Sequence, residues 1–410
     1  MEKVAIIGAG IAGMSCGHFL HEKYDLTLYE EQDHIGGCTP LVTLKDAENP
    51  VSITAGSLVI HPQTDPQLYA LFEAIKVPLK KTDLSFSVQY LPEQLEYRGP
   101  GLNHLFAQRS NLFKPSFLKL LKEVGRFNKS STEVLNQPEF QNCSIASYLK
   151  EFGYTGDFIL KYLIPLSSGL WTAPKAQILD FPIVTLLRHF NSYGFAGQAS
   201  GYQGFTPDDK NQPWQEVLTR PFKDKILLNK KVGKVERLED GKVKVLATDG
   251  TKGLFDRVIM ACPADEAYKI VKHKTKDEER LLSVFRYESG KNVIHTDAAI
   301  MPKTKLAWAS WNYRMEQKGE DARAAATYWI NNIPGLPETS LKQDYFVSNA
   351  AAAIDEKKMI REIENRQPVF DLMAMQAQTE LHLLNQTGPV YYCGGYFNNE
   401  KEKTASLFGG

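Results

Sequence analysis

The chain opens with an unbroken apolar run at residues 4–7, then a glycine-rich turn, a stretch of helical periodicity over 11–23, and a second short run at 26–30 that alternates. A short apolar run bounded by a turn reads as a buried strand, and spacing of three and four residues reads as a helix. The opening therefore predicts a β-α-β unit. From 66 to about 188 apolar residues recur at helical spacing in 68–75, 102–112, 117–127 and 183–190, predicting a mainly helical insertion. Between 226 and 260 the runs shorten to strand length and are separated by Asp240-Gly241 and Asp249-Gly250, dipeptides suited to hairpin turns, so an antiparallel meander is expected. Beyond Glu278, the stretches 292–295, 306–313, 325–330 and 344–348 are rich in aromatic and β-branched residues and predict a second sheet. Residues 359–384 read as largely helical and 390–393 as a last short strand.

The turn after the first strand is Gly8-Ala9-Gly10-Ile11-Ala12-Gly13, which ends one strand and opens one helix. In that context the glycines serve distinct physical ends. Gly8 turns tightly, Gly10 lets the backbone approach a pyrophosphate, and Gly13 allows close helix-strand packing. The amides at the helix start, around Ile11 and Ala12, favour negative charge. Glu30 ends the second strand, twenty residues after Gly10, where a carboxylate accepts hydrogen bonds from ribose hydroxyls. These features predict an α/β fold with a Rossmann-type domain for FAD or NAD. Gly36 and Gly37 follow the acid closely and allow backbone to pass a second bulky group, which favours FAD. The expected organisation is a discontinuous FAD-binding domain from 1–65, 206–275 and 351–410, with 66–205 and 276–350 forming an inserted α+β substrate domain.

Composition narrows the partners. Lysine plus arginine, 48, equals aspartate plus glutamate, 48, so no global field favours nucleic acid or an anionic membrane, while a local patch remains open. Residues 1–3 run directly into the first strand, which argues against a signal peptide, and no apolar run reaches the roughly 18 residues a spanning helix needs. Five dispersed cysteines without a C-x-x-C pair fit a reduced, cytoplasmic setting, in which the sequons at Asn128 and Asn142 are inert.

Several patterns invite other readings. Gly13-Met14-Ser15-Cys16-Gly17 matches G-x-S-x-G, but Ser15 falls inside the first helix rather than on a nucleophile elbow. His18 and His21 lack the companions a metal site requires, and no metal is expected. Trp308, Trp311, Trp329, Tyr313 and Tyr328 either line a substrate pocket or fill the second sheet's core. Phe117, Leu120, Leu121, Val124 and Phe127 form a stripe flanked by Lys114, Lys119, Lys122 and Arg126, either a buried face with a solvated back or a peripheral contact with anionic lipid.

Longer motifs carry a definite resemblance: Gly101-Leu102-Asn103-His104-Leu105-Phe106-Ala107-Gln108-Arg109, Leu179-Asp180-Phe181-Pro182, His295-Thr296-Asp297-Ala298-Ala299-Ile300-Met301-Pro302, Ala307-Trp308-Ala309-Ser310-Trp311-Asn312-Tyr313 and Pro368-Val369-Phe370. With them the chain resembles, over nearly its whole length, the predicted FAD/NAD-binding proteins of the flavin amine-oxidase superfamily, often encoded beside or fused to cyclopropane fatty acid synthases. The resemblance implies non-covalent FAD, adenine contact through the Val232 backbone, return to the nucleotide domain through 255–263, and flavin-side backbone at Gly56, Gly394 and Gly395. It departs at Cys38-Thr39-Pro40, where the family has H-A-N, at Thr54-Ala55-Gly56-Ser57, where it has D-T-G-F, and after Phe397, where a glycine-rich turn and closing helix give way to Asn398-Asn399-Glu400-Lys401. The implied activity is hydride transfer from an organic substrate, an unsaturated or modified fatty acyl chain or an amine, to flavin. His295, Asp297, Trp308 and Trp311 are pocket candidates, and no catalytic residue stands out. The alternatives are a degenerate nucleotide-binding protein without turnover and an NAD-dependent dehydrogenase.

Overall fold

The computed structural model describes residues 1–37, 41–44, 51–54, 58–62, 65–167, 175–192, 203–208, 212–317, 319, 322–332, 341–349 and 352–397. A five-stranded sheet runs in the order Val390–Tyr392, Arg257–Met260, Lys3–Ile7, Asp25–Tyr29 and Ile226–Leu227, with every neighbouring pair parallel. Lys3–Ile7 is its centre, paired along both edges, and all but its first residue are buried. That burial is why the strand reads as a continuous apolar run rather than an alternating one. The helix Ile11–Leu20 follows directly.

The predicted meander is present as Val232–Arg237, Val243–Ala247 and Lys252–Phe255, paired antiparallel. Gly241 and Gly250 sit at φ +82° and +88°, the left-handed conformation that hairpin turns require. Asp240 and Asp249 each accept the amide two residues on, at 3.0 and 2.9 Å.

A seven-stranded mixed sheet has the order Met359–Val369, Arg286–His295, Phe346–Asn349, Ala324–Trp329, Trp311–Met315, Phe86–Tyr90 and Leu95–Gly99. Only the pairing of Trp311–Met315 with Phe86–Tyr90 is parallel. The helical expectation for 359–384 is corrected here: Met359–Val369 is an eleven-residue strand, and helix is confined to Leu372–Gln378 and a single turn at Leu381–Asn385. Its many Glu and Arg residues have good helix propensity, but ten-residue pairing with Arg286–His295 overrides that preference. The strand occupies a sheet edge, where charges and Pro368 are tolerated. Two strands inside the predicted helical insertion, Phe86–Tyr90 and Leu95–Gly99, were likewise unannounced, and 102–112 forms only the short turns Leu102–Leu105 and Arg109–Phe113.

The helix Pro115–Leu135 turns its stripe inward. Phe117, Leu120 and Phe127 are buried, and the Phe127 ring meets Tyr154, Phe158 and Phe190 at centroid distances of 5.6, 5.2 and 6.0 Å. Full burial of one such side chain stabilises by roughly 2 kcal/mol or more. The stripe is core, and the lysines between its members face out. Among the described residues no helix is long and apolar enough to cross a membrane.

Candidate functional site

The glycine turn caps the carboxyl ends of the central strands. Gly8 has φ +107°, and its amide donates to the Tyr29 carbonyl at 2.8 Å. A Cβ there would stand 2.7 Å from the Ala261 carbonyl oxygen. Gly13 is tighter still, because a Cβ would lie 1.9 Å from the Gly8 carbonyl oxygen, so helix and turn touch through bare backbone. Gly10 is different: a Cβ would meet nothing within 4 Å, which means open space lies over the turn.

Gly10 is also the residue before the helix, and no side chain caps its amides. The first bond along the helix runs from the Met14 amide to the Gly10 carbonyl at 3.0 Å. The Ile11, Ala12 and Gly13 amides precede it and have no partner within the helix. No acidic residue occupies the first turn, so the helix end stays electropositive. Open space at Gly10 in front of such amides leaves room for an anionic group.

Glu30 is only 8% exposed. Its Oε2 accepts the Ala9 amide at 2.7 Å and its Oε1 the Gln32 amide at 2.9 Å. Burial raises its pKa, with the two amide bonds acting in the opposite direction. A carboxylate offers about four acceptor directions, so these two bonds leave capacity for hydroxyl donors. Gly36 and Gly37, at φ +112° and +59°, bring the following loop back to the turn, where the Gly36 amide donates to Ala9 at 3.0 Å.

The meander enters on the same side. Lys230 donates through its amide to the Glu30 carbonyl at 2.7 Å, and Lys231 Nζ pairs with Glu31 at 2.9 Å, which places the buried Val232 next to the Glu30 strand end. On the opposite side the Cys393 amide donates to Met260 at 3.0 Å, Gly394 has φ +140°, and Gly395 begins a short turn, Gly395–Phe397. Cys16 Sγ and Cys393 Sγ lie 3.8 Å apart as free thiols, so Gly394 and Gly395 run beside the first helix. Gly56, and the sequence departures at 38–40, 55–57 and 398–401, lie outside the described residues.

The competing patterns resolve structurally. Ser15 Oγ donates to the Ile11 carbonyl at 2.7 Å inside the helix. His18 Nδ1 contacts the Leu218 carbonyl at 3.0 Å and the His21 ring packs by Phe222. Trp308 donates through Nε1 to the Pro302 carbonyl at 2.8 Å and meets Trp329 edge-on, so it fills core. Trp311 packs on Tyr328, its neighbour across the strands. Asp297 is consumed by the Lys358 ammonium at 2.8 Å and by the amides of Ala299 and Asp355, both at 3.1 Å.

His295 is fully buried, held between the Ser348 hydroxyl at 2.8 Å and the Asp297 amide at 3.0 Å. Burial lowers its pKa to about 4. In the unfolded chain the value is about 6.5. Both states are neutral above that value; as pH falls below it, the unfolded chain takes up a proton that the folded protein refuses. Stability therefore drops with falling pH, by about 2 kcal/mol between pH 7 and about 5. Urea unfolding across that window should show the slope, and His295→Gln should flatten it.

Sequence reasoning did not single out Lys231, signalled only by its place before Val232, or Arg366, which pairs with Asp265 and Glu266 at 2.6 and 2.9 Å just past the Ala261 turn. Arg366 sits on the strand read as a helix, so periodicity gave no signal for it. The buried group in which Arg237 and Tyr392 contact Glu278 was equally silent, although Thr275-x-x-Glu278 is a legible capping box.

A central strand between parallel neighbours, a glycine turn with open space over it, uncapped helix amides and a buried acid at the next strand's end together define a dinucleotide-binding α/β protein. The sequence profile of the flavin containing amine oxidoreductase family matches residues 11–297, and the chain belongs to that family. It is a flavin-dependent oxidoreductase. Solved structures agree on the fold: wild-type putrescine oxidase bound to putrescine is 12% identical, with TM-score 0.65 over 100% of this chain and 96% of that one. Cyclohexylamine oxidase from Brevibacterium oxydans is 15% identical, with TM-score 0.64 over 98% and 96%. The CLA-producing fatty acid isomerase from P. acnes is 14% identical, with TM-score 0.61 over 96% and 93%. No curated protein matches the chain in sequence.

Proposed function

We propose that the protein holds FAD non-covalently and oxidises an organic substrate, either an amine or an unsaturated or modified fatty acyl chain. The observation that supports FAD best is the pairing of open space at Gly10 with the uncapped amides of Ile11–Leu20. In this reading those amides stabilise the diphosphate charge, Glu30 accepts the adenosine ribose hydroxyls, and the Val232 backbone faces the adenine. The Gly36, Gly37, Gly394 and Gly395 backbones, with Gly56, pass close to the flavin half. Bound there, the flavin would accept hydride from substrate and pass the electrons to oxygen or another acceptor. The chain's own contribution is placement.

The domain division is part of the same proposal: 1–65 and 206–275 build the nucleotide unit, and 66–205 with 276–350 the substrate unit. The last nucleotide piece begins after Met359–Val369, because that strand pairs along its length with Arg286–His295 of the large sheet. The relatives named above include proteins whose names specify amines and one whose name specifies a fatty acid, which is the basis for carrying both substrate classes.

The test is an absorption spectrum of purified protein, followed by heat release and chromatography of the nucleotide. The expected result is one FAD per chain, released intact by heat. Anaerobic addition of amines and of unsaturated fatty acids then identifies the class that bleaches the flavin. A colourless protein that takes up no added FAD overturns the proposal.

A further inference from the structure

Among the described residues, exposed large apolar side chains are scattered except in one segment, where Leu102, Leu112, Phe113 and Leu118 are 76, 43, 85 and 46% exposed. Phe113 ends the turn Arg109–Phe113, and Leu118 lies on the first turn of Pro115–Leu135. Arg109 ties the segment together, donating to the Asn103 side chain at 2.7 Å and to the Phe106 carbonyl at 3.0 Å. Behind it, Phe106 rests on the buried Phe117 with ring centroids 5.8 Å apart, so the exposed side chains stand on a packed base.

The charge along this segment is one-sided. Between Glu96 and Glu123 the chain has five basic residues, Arg98, Arg109, Lys114, Lys119 and Lys122, and no acidic one. The bounding acids are turned inward: Glu96 accepts the Lys303 and Thr304 amides at 2.8 and 3.0 Å, and Glu123 accepts the Thr155 hydroxyl at 2.8 Å. Arg98 is paired with Asp83. Among the described residues no carboxylate pairs with Lys114, Lys119 or Lys122. Leu118 and Lys122, four apart, share a helix face. Beside the ridge a polar cleft of about 460 Å³ is lined by Pro92, Glu93, Gln94, Gln108, Ser110 and Lys114, and Glu93 is paired with Lys161 at 2.7 Å.

We propose that Leu102, Leu112, Phe113 and Leu118, ringed by Arg109, Lys114, Lys119 and Lys122, form a docking surface for an anionic lipid bilayer. The apolar tips enter the interface and the basic side chains meet lipid phosphates, the combination that peripheral anchors use. Charge selects lipid: apolar contact alone would suit a second copy of the chain, but two such faces would oppose their lysines. This surface is distinct from the buried stripe of the same helix, and it does not depend on the cofactor or substrate proposed above.

Co-sedimentation of the full chain with vesicles of phosphatidylcholine and phosphatidylglycerol in equal parts tests it, with pure phosphatidylcholine as comparison. Binding is expected to the mixed vesicles only and to weaken as salt rises. Phe113→Ser should lower partitioning about tenfold, and the pair Lys119→Glu and Lys122→Glu about tenfold or more, with thermal unfolding unchanged because these side chains are exposed. No binding to the mixed vesicles, or binding indifferent to these substitutions, overturns the proposal. Self-association of the native chain in sedimentation equilibrium, lost in Phe113→Ser, would assign the face to a second copy and overturn it equally.

Discussion

Gly13→Val should yield a protein without flavin and at least about 3 kcal/mol less stable, whereas Gly10→Val should fold almost normally and still fail to retain flavin. The contrast follows from what a side chain meets. At Gly13 even a Cβ would stand 1.9 Å from a backbone oxygen of Gly8, so the helix must lift from the turn. At Gly10 the backbone is extended, at φ −70° and ψ 178°, and the space beyond it is open. The cap position itself costs at most about 1 kcal/mol, while the side chain fills the space assigned to the diphosphate. Denaturant unfolding and flavin absorbance per chain separate the two effects. If Gly10→Val purifies with stoichiometric flavin, the diphosphate does not pass that residue.

Glu30→Ala is expected to destabilise by about 3 kcal/mol and to weaken flavin binding by about tenfold or more. The carboxylate satisfies the Ala9 and Gln32 amides inside a nearly closed site, and removing it orphans both. Glu30→Gln separates the two roles. Burial raises the Glu30 pKa, so ionisation opposes folding as pH rises through that value, a penalty that glutamine does not carry. Glutamine keeps one acceptor but turns an NH2 toward groups that need acceptors. Its stability should therefore lie near that of the native chain while its flavin affinity falls. Isothermal titration of FAD into the apoprotein reads the affinity, and equal affinity for all three chains would remove Glu30 from the site.

The glycine turn was legible because its signals are local and covalently spaced: Gly8, Gly10 and Gly13 answer to backbone geometry within one turn, and Glu30 ends the adjacent parallel strand. The meander was legible for the same reason, through two Asp-Gly turns. What failed depended on distant partners. Met359–Val369 becomes a strand only because Arg286–His295 lies beside it, and Lys291 meeting Glu362 across that pair leaves no local trace in either segment. Phe86–Tyr90 was lost among helical periodicities: one neighbour, Leu95–Gly99, is close in the chain, but the other, Trp311–Met315, which joins this hairpin to the large sheet, is more than two hundred residues away. His295 and Asp297 drew notice as polar residues in a distinctive motif, but their chemistry is spent on holding the large sheet and its loops.

The order of strands in the parallel sheet also governs when the glycine turn reaches its final surroundings. Lys3–Ile7 finds one neighbour at once in Asp25–Tyr29, but its other neighbour is Arg257–Met260, which in turn pairs with Val390–Tyr392. At ribosomal speeds of about 5–20 residues per second, the central strand waits on the order of tens of seconds for its second partner. During that interval its apolar edge lacks the pairing that covers it in the finished sheet. The glycine turn, pressed against Ala261 in the final structure, is therefore completed late in synthesis, long after its own residues have left the ribosome.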